Sequence, residues 1–160
     1  MTREPFRHIA SATRRFPHVL IVEAEVSVAA LIRAVVLRHG HGCSATVVYD
    51  GAEAIAYFGG EGRFADREIY PLPDLVILDL GLPGIDGYEV LAWMDGRPEC
   101  ADSPVVVVSA AAEQEAARRA YDLGARGFVP RSADPSRLAA VVRATLLRWG
   151  PERARERSAG

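Results

Sequence analysis

The chain has 160 residues, 49% of them hydrophobic, and a formal net charge of -2 at pH 7. This length predicts one domain, and the small net charge gives no strong field that would attract nucleic acid or a membrane surface. No apolar run approaches the roughly 18 residues of a membrane-spanning helix, and the N-terminus lacks the apolar segment of a secretory signal. We therefore expect a soluble, cytoplasmic protein that binds neither nucleic acid nor membrane.

From residue 18 onward, short β-branched apolar runs alternate with longer amphipathic stretches, which is typical of repeated β-α units. Strands are predicted at 19–22, 45–48, 75–78, 105–108 and 127–129, and helices at 27–38, 52–58, 87–94, 112–123 and 135–149. Strands that are apolar along their whole length are typical of a sheet covered on both faces. The sequence therefore predicts an α/β domain at 18–149, with a five-stranded parallel sheet and helices on both faces.

Three segments interrupt or flank this pattern. Residues 1–17 form an arginine-rich arm and residues 150–160 a charged tail; both are predicted to be flexible, with a docking role as the alternative. The connection at 59–73 is long for a helix-to-strand link. We expect it to hold a structured excursion in which Phe64 or Tyr70 packs against the domain. Cys43 and Cys100 are too few for a disulfide framework or a zinc site and are predicted to be inert thiols.

Polar side chains follow four of the predicted strands: Glu23 and Glu25, then Asp79, Ser109 and Arg131. Each one alone has a plain structural explanation, as a turn cap or a solvated side chain. In a parallel sheet, however, these positions meet at the edge where ligands bind. Clustered carboxylates suit a hard cation such as Mg²⁺, and a hydroxyl with a positive side chain suits a phosphoryl group. Asp79 lies between the two halves and is a candidate nucleophile.

The segment DLVILDLGLPGIDGYEV at 74–90 resembles the receiver domain of two-component response regulators. PVVVVS at 104–109 and LGARGFVPRSADPSRL at 123–138 extend the resemblance, which covers about residues 18–147. It implies the flavodoxin-like receiver fold with strand order 2-1-3-4-5. The long segment at 57–75, together with a late Trp149, further resembles single-domain regulators that are paired with phytochrome-like kinases.

The resemblance implies a role for each residue at the strand ends. Asp79 would be the phosphoacceptor, and Ser109 would contact the phosphoryl group. Arg131 stands where the family has a lysine that pairs with the phosphoacceptor. Arginine replaces a compact ammonium with a planar fork, although a chain whose basic residues are all arginine also allows compositional drift as the reason. Phe128 stands at the aromatic switch position coupled to Ser109, where a switch and a plain packing role both remain open.

The resemblance also implies a Mg²⁺ site. Its ligands would be Glu23, the carboxylate of Asp79 and the backbone carbonyl of Gly81, while Ala24 falls where the family has a direct carboxylate ligand. The loss of that carboxylate predicts Mg²⁺ binding weakened by about one to three orders of magnitude. A water held by Glu23 or Glu25 could fill the gap, because Mg²⁺ keeps several waters in most sites.

Together these features favour a stand-alone receiver, a signalling protein and not an enzyme. It would accept a phosphoryl group on Asp79 from a sensor histidine kinase or a phosphotransfer protein and signal through protein–protein interaction. By resemblance, helix 4, strand 5 and helix 5 form the signalling face and the candidate homodimer surface.

The alternative is a pseudo-receiver that is not phosphorylated. An aspartyl-phosphate hydrolase is disfavoured, because the second acid that such enzymes need is replaced by Gly81. A flavin-binding protein is disfavoured because no phosphate-binding loop follows strand one.

Overall fold

A computed structural model of the protein describes residues 16–40, 42–110 and 114–149, with side chains as far as residue 148. The predictions for the arm at 1–15, for the tail at 150–160 and for the start of the fourth helix at 112 concern residues outside these ranges. Within these ranges, no helix has the length and apolar character needed to cross a membrane.

The described part of the chain contains one sheet of five strands. They are β1 (His18–Val22), β2 (Ser44–Val48), β3 (Leu75–Leu78), β4 (Val105–Ser109) and β5 (Gly127–Pro130). Their order is β2-β1-β3-β4-β5 and every pair is parallel, so all carboxyl ends lie at one edge. The predicted order is confirmed, and each predicted strand boundary is correct to within one residue.

Five α-helices and two short 3₁₀ segments connect the strands in the described ranges. The helices are α1 (Val26–His39), α2 (Gly51–Gly59), α3 (Gly87–Met94), α4 (Gln114–Asp122) and α5 (Pro135–Trp149), and the 3₁₀ segments are Gly62–Phe64 and Pro98–Cys100. Two separate apolar clusters flank the sheet. The cluster on one face includes Ile32 of α1 and Leu138 of α5; the cluster on the other includes Ala54 of α2, Val90 of α3 and Ala120 of α4. Helices therefore cover both faces, as predicted.

The starts of α2 and α3 are fixed by aspartate caps beside the carboxyl edge of the sheet. The side chain of Asp50 accepts a hydrogen bond from the backbone N–H of Glu53 (2.7 Å), and that of Asp86 accepts one from Glu89 (2.9 Å). Such caps satisfy amides that the helix itself leaves without acceptors. At Gly87, an added Cβ would collide with the carbonyl oxygen of Asp79. Glycine at this position lets α3 begin directly against the loop that follows β3.

The connection at 59–73 is a structured excursion, as the sequence predicts. Phe64 is 3% exposed and its ring lies 5.1 Å from that of Tyr57 and 5.2 Å from that of Tyr70, measured between centroids. Arg67 donates to the backbone carbonyls of Tyr57 (2.7 Å) and Phe58 (2.6 Å). It thereby satisfies carbonyls at the end of α2, where helices leave acceptors without intrahelical partners.

Both cysteines are buried thiols, and their burial leads to a testable pH dependence. Burial, with a smaller contribution from the negative charge of Glu99, raises the pKa of Cys100 to about 12. A thiol with a raised pKa in the folded state stabilises the fold below its unfolded pKa, and this contribution is lost as pH rises toward the folded value. Between about pH 9 and pH 11, Cys100 should therefore lower the free energy of unfolding by about 1.4 kcal/mol per pH unit.

Denaturant titrations across this range, compared with a Cys100→Ala variant, isolate the contribution of Cys100. The variant should show a shallower decline with pH, whatever its stability at neutral pH. An equal slope in the two proteins would show that the thiol ionises as readily in the folded chain as in the unfolded one.

Candidate functional site

Two carboxylates are held side by side by the hydrogen-bonding register of the central strands. The backbone N–H of Glu23 donates to Val48 (3.1 Å) and that of Asp79 donates to Val22 (3.0 Å). These bonds continue the sheet ladders one residue beyond β1 and β3. Glu23 is 1% exposed and Asp79 is 6% exposed. The sheet therefore buries two acidic side chains at its carboxyl edge, as the strand-end positions predict.

Arg131 lies between these two carboxylates. Its backbone N–H donates to the carbonyl of Ser109 (2.8 Å), which anchors the residue after β5 to the end of β4. Its Nη2 lies 3.0 Å from both carboxylate oxygens of Glu23 and 3.2 Å from Oδ2 of Asp79. One guanidinium nitrogen thus serves both buried acids. Arg131 thus contacts Asp79, with which the resemblance pairs the family's lysine, and it also contacts Glu23, a pairing that the sequence did not predict.

Glu25 and Ala24 contribute less to this pocket. Oε1 of Glu25 lies 3.7 Å from Nη1 of Arg131, but the side chain is 63% exposed and stands at the rim. The backbone N–H of Glu25 donates to Oε1 of Glu23 (3.2 Å), which helps to orient the buried carboxylate. Ala24 is partly buried against the core and carries no polar group. The position after Glu23 therefore adds no charge to the pocket.

The electrostatics of the pocket depend on Arg131. Burial raises the pKa of Glu23 above its ordinary value, and the nearby charge of Asp79 raises it further. The hydrogen bond from the Glu25 amide and the charge of Arg131 act in the opposite direction. Nε of Arg131 is buried and has no hydrogen-bond partner within the described ranges. Attraction to the two carboxylates, and not a complete set of hydrogen bonds, therefore holds the guanidinium in place.

The remaining predicted residues surround this group at different distances. Ser109 is 3% exposed at the end of β4 and is joined to Arg131 through its backbone carbonyl. A Cβ built on Gly81 would lie 3.8 Å from Oδ2 of Asp79, so the backbone of Gly81 runs beside the carboxylate. Phe128 packs partly buried against the core on the side of the sheet that α2, α3 and α4 cover. The pocket itself is formed by Glu23, Asp79, Ser109 and Arg131.

A parallel sheet in the order 2-1-3-4-5, with a buried aspartate, a second acid, a hydroxyl and a cation at its carboxyl edge, defines a flavodoxin-like domain with the acidic pocket of a receiver. The sequence model for the response regulator receiver domain matches residues 19–143. The chain therefore belongs to the response regulator receiver family.

Relatives with known roles give the same assignment. The chain is 32% identical to the phosphate regulon transcriptional regulatory protein PhoB of Rhizobium meliloti, over 85% of this chain and 55% of PhoB. It is 28% identical to the response regulator Rcp1 of Synechocystis, over 82% of this chain and 87% of Rcp1. The chain thus spans about half the length of PhoB and most of the length of Rcp1.

The chain is also similar to solved structures of response regulators. The phosphorylated cyanobacterial phytochrome response regulator RcpA has a TM-score of 0.71 and 31% identity, covering 86% of this chain and 96% of RcpA. The Mn²⁺-bound form of Rcp1 has a TM-score of 0.68 and 27% identity, covering 84% of this chain and 95% of that one. The predicted resemblance to single-domain response regulators is confirmed.

Receiver domains bind Mg²⁺ in their acidic pocket, so a divalent cation is the expected occupant of this one. Glu23 and Asp79 supply two carboxylates, but Nη2 of Arg131 already lies within 3.2 Å of both. Among the described residues, no three His, Cys, Asp or Glu side chains form a metal-binding group. Because a guanidinium and Mg²⁺ compete for the same oxygen lone pairs, this arrangement does not fit a bound Mg²⁺. The weak Mg²⁺ site stays a prediction.

Proposed function

We propose that the protein accepts a phosphoryl group on Asp79 from a sensor histidine kinase or a phosphotransfer protein, and that it signals in the cytoplasm through protein–protein interaction. The observation that carries this proposal is the position of the Asp79 carboxylate. It is buried at the carboxyl edge of the sheet, 3.2 Å from the guanidinium of Arg131, and the hydroxyl-bearing Ser109 ends the adjacent strand.

The chemistry follows from these three side chains. A carboxylate oxygen of Asp79 attacks phosphorus as the P–N bond of a phosphohistidine breaks, and the departing imidazole takes up a proton. The product is an acyl phosphate whose phosphoryl oxygens keep the negative charge of the phosphoryl group, while the charge of the Asp79 carboxylate passes to the departing imidazole and is neutralised by that proton. Arg131 can donate charge-assisted hydrogen bonds to these oxygens, and the hydroxyl of Ser109 can donate a neutral one.

The surface formed by α4, β5 and α5 is the proposed output face. It contains a groove of about 560 Å³ whose lining includes Tyr121, Phe128 and Thr145. Tyr121 is 49% exposed and Leu147 of α5 is 75% exposed, so apolar surface is available to a partner protein or to a second copy of the chain. In the β4–β5 ladder, Ser109 pairs with the residue two positions after Phe128. A movement of Ser109 toward the phosphoryl group would therefore act close to this groove.

A second candidate function is an interaction module that is never phosphorylated. The ion pair between Arg131 and Glu23 favours it, because this pair fills the pocket with side chains of the protein itself. Ala24 also favours this second function, because an alanine at this position leaves the pocket with one carboxylate fewer to bind a metal.

Intact-mass spectrometry separates the two candidates. After incubation with acetyl phosphate, or with a histidine kinase that phosphorylates other receivers, the wild type should gain one phosphoryl group. Asp79→Asn should gain none, because an amide is not a nucleophile toward phosphorus. Asp102→Asn, which changes an exposed carboxylate in the turn before β4, is the matched control and should react as the wild type does. A wild type that remains unmodified with both donors would favour the interaction module instead.

A further inference from the structure

The acidic pocket contains a cation that belongs to the protein itself. Nη2 of Arg131 lies 3.0 Å from both oxygens of Glu23 and 3.2 Å from Oδ2 of Asp79, and the Arg131 side chain is only 26% exposed. When ionised, these three side chains sum to one negative charge. The pocket is therefore close to electrical balance without any added ion.

We propose that Arg131 is the resident cation of this pocket, so that phosphoryl transfer to Asp79 proceeds without a divalent metal and Mg²⁺ binds only in competition with Arg131. This inference rests on the proposed phosphorylation of Asp79. It differs from that proposal in naming which positive charge supports the reaction.

The first argument is electrostatic. A divalent ion that contacted Glu23 and Asp79 would have to sit within a few ångströms of the guanidinium, where like charges repel strongly in a partly buried setting. Mg²⁺ also gives up its waters reluctantly and demands near-octahedral oxygen ligands. With Ala24 beside Glu23, the described part of the pocket offers no further buried carboxylate to offset these costs. Entry of Mg²⁺ therefore requires that Arg131 leave.

The second argument concerns the shape of the side chain. The backbone of Arg131 is anchored to Ser109, and its planar fork reaches Glu23 and Asp79 with one terminal nitrogen. The other terminal nitrogen, Nη1, lies 3.7 Å from Glu25, which is longer than a hydrogen bond. Nη1 is thus the donor that could bond a phosphoryl oxygen while Nη2 holds the acids. In this scheme Glu23 is a positioning residue that acts through Arg131.

The reaction with acetyl phosphate balances without a metal. The bond from the Asp79 oxygen to phosphorus forms as the bond from phosphorus to the acetate oxygen breaks, and acetate leaves as an anion with no proton transfer. The phosphoryl group keeps its charge throughout, and Arg131 remains opposite it. Acetyl phosphate is therefore a suitable probe, because no kinase with its own need for Mg²⁺ is present.

The first test measures the rate of adduct formation on the wild type by intact mass, with acetyl phosphate in EDTA and in Mg²⁺. We expect the two rates to agree within about twofold, since no step needs the metal. An adduct that forms only with Mg²⁺ would overturn this inference and leave the proposed function standing. An absence of adduct with acetyl phosphate in both conditions would overturn this inference, and the proposed function would fall with it only if a histidine kinase that phosphorylates other receivers also gave no adduct, so the two failures are distinguishable.

The second test measures Mg²⁺ affinity by calorimetry. Arg131→Gln should bind Mg²⁺ about tenfold or more tightly than the wild type, because it removes the competing charge. Arg38→Gln removes an exposed positive charge in the last turn of α1 and should leave the affinity unchanged. An Arg131→Gln affinity equal to that of the wild type would contradict a resident cation.

A conservative variant keeps the test decisive if Arg131→Gln is poorly folded. Arg131→Lys retains the positive charge but replaces the fork with a single compact donor. In this variant, the ratio of the adduct rate in Mg²⁺ to that in EDTA should rise by about tenfold over the wild type. A ratio unchanged from the wild type would show that the guanidinium has no special role.

Discussion

Replacement of Arg131 with methionine should lower the free energy of unfolding by about 2–4 kcal/mol near pH 7. The change leaves Glu23, which is 1% exposed, and Asp79, which is 6% exposed, without the cation that lies between them. Loss of one partner from a buried ion pair is costly because the remaining charge stays buried and unpaired. Arg131 is itself about a quarter exposed, so the loss should fall below that of a fully buried pair. Denaturant unfolding of the two proteins measures the difference.

The pH dependence of this loss identifies its cause. Burial already raises the pKa of Glu23, and removal of Arg131 should raise it further because the charge of Arg131 acts to lower it. A carboxylate with a raised folded pKa favours the fold below its unfolded pKa, and this advantage disappears as pH rises through the folded value. The deficit of Arg131→Met should therefore be smallest near about pH 4 and should grow toward neutral pH.

A double-mutant cycle with Glu23→Gln is the matched control. If the two side chains act as a pair, Arg131→Met should cost less in the Glu23→Gln background, with a coupling of about 1–3 kcal/mol. Additive losses, or a deficit that does not change with pH, would show that Arg131 stabilises the fold by packing alone.

Replacement of Tyr57 with alanine should destabilise the protein by about 3–5 kcal/mol, the range for a large buried aromatic side chain. Tyr57 has no exposed surface, and its ring lies 5.1 Å from Phe64 and 6.1 Å from Tyr70 between centroids. Its hydroxyl donates to the carbonyl of Pro71 (2.8 Å). The same residue thus holds α2, the 59–73 excursion and the approach to β3 together. Thermal unfolding should show a decrease in Tm on the order of 10 °C.

Two variants control for the nature of this effect. Tyr57→Phe keeps the ring and removes only the hydroxyl, so it should cost about 1 kcal/mol. Tyr121→Ala removes a tyrosine that is 49% exposed and should change stability by no more than about 0.5 kcal/mol. If Tyr57→Ala lowered the free energy of unfolding no more than Tyr57→Phe does, the 59–73 excursion would not depend on the Tyr57 ring for its packing.

The bounds of the strands could be predicted because they depend on local pattern, whereas their order came from the resemblance to receiver domains. The runs at 75–78 and 105–108 are apolar along their whole length, which is typical of a sheet covered on both faces. Polar residues immediately after such runs had to meet at one edge of the sheet. For this reason the positions of Asp79, Ser109 and Arg131 along the chain are enough to assign them to one pocket.

The contacts within the pocket could not be predicted in the same way. Strand-end positions bring Arg131 near Glu23 and Asp79, but the direction of a long, flexible side chain is set by its surroundings. Arg131 lies between the two carboxylates because the backbone bond to Ser109 fixes its base and the burial of the carboxylates favours charge pairing. The same limitation applies to Tyr57, because its packing depends on Phe64 and Tyr70, which lie seven and thirteen positions later in the chain.

For this protein, then, the sequence by itself determined the receiver fold, the edge of the sheet where the site lies and the identity of its polar residues. The parallel α/β sheet and the edge where the site lies follow from the period of apolar residues and from the chain direction of parallel strands, both of which are properties of short segments. The receiver fold itself followed from the resemblance carried by the motifs at 74–90, 104–109 and 123–138. Only the tertiary structure decided which cation sits between Glu23 and Asp79. Three strands and the loop after β5 must come together before the guanidinium of Arg131 has two buried carboxylates to neutralise.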